Sequence, residues 1–286
     1  MSNKTSIHLS SFCDNWNENL EKHILKAAEI GFDAVEMPLF DARTFEVKKY
    51  LKVLKDTNLL VTTGNAISCE TDIASTNKAI RQKGIEYLKI AIDKSLRLNS
   101  QCLNGVLYEP WGALDTYTIE NRKFLVQSLN QVDEYLNQVN FKINLELINR
   151  YEGNRLNNVS QGLSILNEVN SENINLHIDT FHMNIEESNI IESIKKGGDR
   201  IKYVHFSENN RSAIGTGSID FIKIIEALNS INYQGIISIE SFISTKGDIG
   251  KQVKIWNESL FKSNIQMVEF SYKYLKQLLK RGKYAN

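Results

Sequence analysis

The sequence predicts an α/β fold in which eight parallel strands, each followed by a helical segment, close into a (β/α)8 barrel with an additional helical segment at the C-terminal end. Three observations predict it. Short runs rich in Ile, Leu and Val alternate with longer stretches of helical period, the pattern of repeated βα units. The last four of those runs finish on a carboxylate or an imidazole, as strands do at the catalytic face of a TIM barrel. Finally, 286 residues with 42% apolar content and only two prolines carry no Pro/Gly/Ser-rich linker, so residues 1–286 are expected to form a single domain around one large core.

The elements follow in order. A strand near 5–9 leads to a helix near 18–30, whose Leu20, Ile24, Ala27, Ala28 and Ile30 share a face; Gly31 stands where a C-terminal cap glycine belongs. Strands near 33–37 and 58–63 enclose a helix near 44–57. A helix near 75–98 precedes a strand near 100–106, and one near 116–139 precedes a strand near 142–147, in Ile143-Asn144-Leu145-Glu146. A helix near 160–170 feeds the strand near 173–178, which runs into Asp179. The helix near 188–198 ends at Gly197-Gly198 before the strand near 201–206, in Ile201-Lys202-Tyr203-Val204-His205. The helix near 218–230 ends at Asn229-Ser230 before the strand near 235–240, which finishes on Glu240. A closing helical region is expected from about 254 to 282.

Composition excludes several classes. Lys plus Arg and Asp plus Glu both total 34, for a formal charge of zero, without the basic surplus of a duplex-binding protein, so no nucleic-acid partner is expected. Cys13, Cys69 and Cys102 show no metal spacing and cannot all pair, the usage of reduced thiols in a cytoplasmic protein. The N-terminal Met1-Ser2-Asn3-Lys4-Thr5 lacks the apolar stretch of a signal peptide, and no run approaches the roughly 18 apolar residues of a membrane span. No membrane association is expected.

Glu146, Asp179, His205 and Glu240 end the fifth to eighth strands, which are neighbours in a barrel, so their side chains are expected to converge at one side of the mouth. Any one of them alone is explained as a solvated strand end. Four in succession form a mixed O/N donor set suited to a divalent ion such as Mn, Mg, Co or Zn, with positions left for substrate oxygens or water.

Further polar residues follow the same strand ends: Glu152 six residues past Glu146, His182 three past Asp179, and Arg211 six past His205. Each alone is a solvated loop charge, but their shared place above the barrel makes them candidates for substrate contact. Trp16, Trp111 and Phe242 follow the first, fourth and eighth strands. Rings there close over a sugar or pack against neighbouring helices. His8 and Cys69 are open candidates for the mouth, His23 is expected at the surface and His177 beside the core. Gly215-Thr216-Gly217 lacks the lysine of a phosphate cradle and is read as a tight turn into the next helix.

These motifs resemble the ketose 3-epimerases of the xylose-isomerase-like barrel superfamily (D-tagatose, D-psicose or allulose, and L-ribulose 3-epimerases). Leu145-Glu146 through Asn149-Arg150-Tyr151-Glu152-Gly153 is similar to the family's LE-x-x-NRFE block, with Tyr for Phe. Asp179-Thr180-Phe181-His182-Met183-Asn184-Ile185-Glu186-Glu187 matches its DTFHMNIEE run. His205 to Arg211 is similar to its H-x-x-E-x-NR block, and Lys246-Gly247-Asp248-Ile249-Gly250 with Ile255-Trp256 to its late segment. The chain departs at Phe206-Ser207, where Thr-Gly is usual, at Ser241, where Pro is common, and at Ser10-Ser11-Phe12.

The resemblance implies that Glu146, Asp179, His205 and Glu240 hold one divalent ion per subunit, Mn2+ first with Co2+ or Mg2+ as alternatives. It also implies that Glu146 and Glu240 are the acid/base pair, that Glu152, His182 and Arg211 hold the O1–O2 end of a ketose such as D-tagatose, D-psicose, D-fructose or L-ribulose, and that the chain forms a homodimer or homotetramer. The chemistry agrees. Removing a weakly acidic C3 proton needs a polarised carbonyl and a stabilised enediolate, and inversion needs one base on each face. An aldose–ketose isomerase or sugar-phosphate epimerase on the same barrel is the alternative. Leu260, Phe261, Ile265, Val268, Tyr272, Leu275 and Leu279 are expected to form an apolar face, partly packed on the barrel and partly free for a second copy.

Overall fold

The computed structural model describes residues 3–281. Its strands are β1 (Lys4–His8), β2 (Ala34–Pro38), β3 (Leu60–Ile67), β4 (Ser100–Pro110), β5 (Ile143–Glu146), β6 (Ile174–Asp179), β7 (Ile201–Phe206) and β8 (Ile236–Ile239). Each pairs in parallel with its sequence neighbours, and β8 pairs with β1 to close the barrel. The helices are α1 (Glu21–Ile30), α2 (Lys48–Thr57), α3 (Lys78–Arg97), α4 (Ile119–Val139), α5 (Val159–Val169), α6 (Thr180–Glu186), α7 (Ile190–Gly197), α8 (Phe221–Ser230), α9 (Gly247–Gln252) and α10 (Asn264–Arg281). The expected TIM barrel is therefore present. Among the described residues, no helix is long and apolar enough to cross a membrane.

Strand alternation divides the side chains into two environments. Outward-facing residues such as Val35, Leu103, Leu145, Val204 and Ile237 join one extended apolar core with the helices. Inward, a small apolar layer of Ala34, Tyr203 and Ile236 lies below buried polar residues that include Glu36, Thr62, Asn104, Asn144 and His205. The polar interior explains why Ser, Thr and Asn alternate with Ile and Leu in several strands.

Local chemistry fixes the element ends. Gly31 caps α1 in a left-handed conformation, as expected, while Asn58, Asn140 and Asn170 do the same for α2, α4 and α5; the short Asn side chain tolerates that region better than most. At Gly105, with φ of 119°, a Cβ would lie 2.2 Å from the Asn65 carbonyl oxygen, so only glycine lets β4 approach β3 this closely.

Two expectations need correction. The region 254–282 is not one helical segment. The short α9 is tied to the loop after β1, where the Ile249 amide donates to Asp14 O at 3.2 Å and the Trp16 amide to Asp248 Oδ1 at 2.9 Å. Lys254 then turns left-handed, and the chain becomes helical again only at Asn264; residue 282 lies outside the described residues. The apolar face divides as expected: Val268, Leu275 and Leu279 are buried, Leu260 and Ile265 are exposed, and Phe261 and Tyr272 lie between. His23 is buried rather than at the surface, stacked on Phe12 with ring centroids 5.4 Å apart.

Candidate active site

Barrel register brings the four strand-end residues together. Glu146 pairs with His177, Asp179 with His205, and His205 with Ser238 across β5 to β8. Glu240 follows β8 directly, its amide donating to Phe206 O at 3.1 Å. One ligand atom from each of Glu146, Asp179, His205 and Glu240 lies within 4.8 Å of the others. Among them is His205 Nδ1, a buried nitrogen with no hydrogen-bond partner among the described residues. It lies 3.6 Å from Glu146 Oε1, 3.7 Å from Asp179 Oδ2 and 3.8 Å from Glu240 Oε1. These separations exceed a hydrogen bond and leave room for a shared ion. Three carboxylates and an imidazole lone pair fit a divalent cation.

Asp179 has two tasks. Its Oδ1 accepts the amides of Phe181 at 2.6 Å and His182 at 3.3 Å, capping the short α6, while Oδ2 faces the ligand cluster. α6 in turn places His182. The Asn149 amide donates to His182 Nδ1 at 3.0 Å, which puts the ring proton on Nε2 at the cavity wall. Ser207 Oγ lies 3.0 Å from Asp179 Oδ2 and 2.5 Å from the Glu240 carbonyl, so the departure from the family's glycine touches two of the four cluster residues.

Arg211 joins the cluster to the loop carrying Glu152. Its Nη1 donates to Glu240 Oε2 at 2.7 Å, Nη2 is 3.5 Å from Glu152 Oε1, and the guanidinium lies 3.9 Å above the Phe181 ring. Glu152 Oε2 accepts from Trp111 Nε1 at 2.9 Å and Oε1 from Asn149 Nδ2 at 3.0 Å.

Burial and charge act on these groups in opposite senses. Burial pushes Glu146 up to about 7, with Glu240 and Asp179 adding to it against the pull of His205. Burial also opposes ionisation of Asp179 and Glu152, but His205, His182 and Arg211 outweigh it. Asp179 is held well below the usual range. Glu152, beside Arg211 and His182, falls to about 2.

Above the cluster is a cavity of about 530 Å3, the size of a small-ligand site. Glu146, His205, Glu240, Glu152, His182, Arg211, Trp16, Trp111 and Phe242 all line it, as do the open candidates His8 and Cys69. Asp179 is fully buried behind the wall. Trp16 packs edge-to-face on Trp111 and on Phe40, and its indole donates to Gln252 at 2.7 Å. His177 is fully buried, its Nδ1 3.8 Å from Glu146 Oε2. With Glu146 and His205 it forms an alternative ligand trio. At the Gly215-Thr216-Gly217 turn the Gly215 and Ile219 amides already donate to the buried Glu208 carboxylate, an anion in the place a phosphate would take.

Sequence reasoning missed Glu36, Phe40 and Gln252. Glu36 on β2 is 1% exposed and accepts from His205 Nε2 at 2.7 Å. Its signal, a carboxylate near the end of an apolar strand, was the same as that of the four residues recognised.

The sequence profile of the xylose isomerase-like TIM barrels matches residues 24–266. An L-ribulose 3-epimerase of Methylomonas sp. (strain DH-1) is 38% identical over 242 residues, spanning 83% of this chain and 84% of that protein. A ketose 3-epimerase of Arthrobacter globiformis is 33% identical, over 84% of each chain. The crystal structure of a D-allulose 3-epimerase from Methylomonas sp. in complex with D-allulose superposes with a TM-score of 0.90 at 34% identity, covering 96% of this chain and 97% of that one. With this barrel, this cavity and these relatives, the chain belongs to the ketose 3-epimerases, isomerase-class enzymes of the xylose isomerase-like TIM barrel family.

Proposed function

We propose that the chain epimerises free ketoses at C3, with Glu146, Asp179, His205 and Glu240 holding one divalent cation, Mn2+ before Co2+ or Mg2+. The observation that carries the reading is the unpartnered, buried His205 Nδ1 ringed by three carboxylates. A cation held there supplies Lewis-acid polarisation of the substrate carbonyl and positive charge beside the enediolate.

The protein groups do the rest. Glu240, whose Oε2 accepts from Arg211 Nη1 at 2.7 Å, is placed to take the C3 proton. Glu146, on the other side of the cluster with its Oε1 3.6 Å from His205 Nδ1, is placed to return a proton to the other face. In the reverse direction the two exchange roles. His182 Nε2 and Arg211 donate to the O1–O2 end, and Glu152 holds Arg211 and Trp111 in place. Trp16, Trp111 and Phe242 exclude water above the sugar. Among the described residues Arg211 is the one Lys or Arg lining the cavity, and it is already paired with carboxylates, which favours a neutral sugar over a phosphorylated one.

The exposed Trp256, Leu260, Ile265 and Phe270 are proposed to be covered by a second copy of the chain, in a homodimer or homotetramer. The catalytic reading is tested by incubating the enzyme and Mn2+ with free and phosphorylated ketoses in deuterated water. The C3-inverted free ketose carrying deuterium at C3 is expected. An aldose labelled at C1 overturns the reading in favour of an isomerase, and turnover of phosphorylated sugars alone overturns the free-sugar assignment.

A further inference from the structure

We infer that Glu36 is a positioning residue for the cation site, a buried carboxylate that fixes His205 with Nδ1 turned toward Glu146, Asp179 and Glu240. The inference rests on the proposed cation site and adds a residue from outside its four ligands.

The contacts are specific. Glu36 Oε2 accepts from His205 Nε2 at 2.7 Å and from the Tyr203 hydroxyl at 3.0 Å. Oε1 accepts from Asn104 Nδ2 at 3.3 Å. Two of those donors are themselves held. The Thr62 hydroxyl lies 2.8 Å from the Tyr203 oxygen, placed to donate to it, and Asn144 Nδ2 donates to Asn104 Oδ1 at 2.7 Å. Glu36 comes from β2, Thr62 from β3, Asn104 from β4, Asn144 from β5, and Tyr203 and His205 from β7, so five strands fix one carboxylate inside the barrel.

Burying a carboxylate is costly unless a positive or hydrogen-bonding partner compensates. Among the described residues no Lys or Arg is paired with Glu36; its shortest contact is with the imidazole. That arrangement gives the histidine an orientation. An acceptor at Nε2 keeps a proton on that nitrogen, so the lone pair that can hold a cation is left on Nδ1. It also prevents the ring from turning over, which would carry Nδ1 away from the carboxylates. The two nitrogens of His205 are accounted for in this way: Nε2 is bonded to Glu36, and Nδ1 has no hydrogen-bond partner among the described residues. Room for Glu36 is also built in, since a Cβ at Gly64 would lie 3.2 Å from Glu36 Oε1 and 3.3 Å from His8 Nε2.

The test is calorimetric titration of Mn2+ into metal-stripped protein, with no turnover involved. Wild type, Glu36→Gln and Glu36→Asp are compared, and circular dichroism establishes that each is folded. Gln removes the charge and keeps the shape, whereas Asp keeps the charge and withdraws it from the imidazole. Both variants are expected to bind Mn2+ about 10–100-fold more weakly, with the unfolding temperature of the metal-free protein unchanged or raised. A wild-type Kd in either folded variant overturns the role of Glu36. A wild type that takes up no divalent ion overturns the cation site itself and this inference with it, so the two failures are distinguishable.

Discussion

Arg211 Nη1 donates to Glu240 Oε2 at 2.7 Å while Oε1 of the same carboxylate faces His205 Nδ1 at 3.8 Å. One glutamate is thus divided between a guanidinium and the ligand cluster. Arg211 holds this geometry from a left-handed backbone position, φ 60°, with its side chain over Phe181.

Arg211→Lys is therefore not a conservative change. A single ammonium cannot span Glu240 and Glu152 while stacking on Phe181. A loss in kcat/KM of about 10²–10³-fold is expected, with the fold intact, because a buried carboxylate loses a charged hydrogen-bond partner. Steady-state kinetics within tenfold of wild type would show that Arg211 is dispensable.

Asp179→Asn separates the two tasks of that side chain. The amide oxygen still caps α6, where Asp179 Oδ1 accepts the Phe181 and His182 amides, but the charge at Oδ2 is lost. The variant should fold and lose most of its metal. For wild type, Mn2+ at 100 times its Kd should stabilise the native state by about 2.7 kcal/mol, visible as a rise of several degrees in Tm. Asp179→Asn should show little rise, and full metal occupancy in this variant would remove Asp179 from the ligand set.

Glu109 gives a pH dependence independent of the cluster. It is 1% exposed; its Oε2 accepts the Asn154 and Arg155 amides, and Oε1 has no partner. Burial raises its carboxyl to about 7 from an ordinary value of 4.5. The folded state therefore favours the neutral acid. Its contribution is fully present below about pH 4.5 and is lost as pH rises through about 7. Glu109→Gln cannot titrate, so its stability relative to wild type should increase between pH 5 and 8, by on the order of 2–3 kcal/mol. Parallel denaturant curves at the two pH values would refute this.

The four cluster residues were legible because each ends an apolar run, and parallel neighbours must bring such ends together. Glu36 offered the same signal, but its importance depends on contact across the barrel with His205, 169 positions away, which strand order alone does not reveal. The helix α6 was hidden because Asp179 was read as a ligand and not also as a cap. The break between α9 and α10 was hidden because the apolar residues of 253–263 continue a helical spacing, while the left-handed Lys254 and the Ile255 amide donating back to Gly250 O at 2.7 Å end α9. His23 was misplaced since its partner Phe12 lies in a 3-10 turn that the strand-and-helix pattern does not register.

The exposed Leu260 and Ile265 make assembly testable. Light scattering should report a dimer or tetramer, and Leu260→Glu with Ile265→Glu should shift it toward monomer. A monomeric wild type at assay concentrations would rule the contact out.

The two-base scheme makes the sharpest prediction. Glu146 and Glu240 lie 3.6 and 3.8 Å from the same His205 nitrogen, so loss of either disturbs both the cation site and proton transfer. Gln is the informative substitution, because it keeps the length and one oxygen while removing the base. Each single Gln variant should lose several orders of magnitude in epimerisation rate. The remaining glutamate, however, can still remove and return a proton on its own face. In deuterated water one variant should therefore exchange C3 of a recovered ketose of one C3 configuration and the other C3 of its epimer, without converting either. Exchange at C3 of both epimers by a single variant would mean that one glutamate serves both faces, and the two-base scheme would fail.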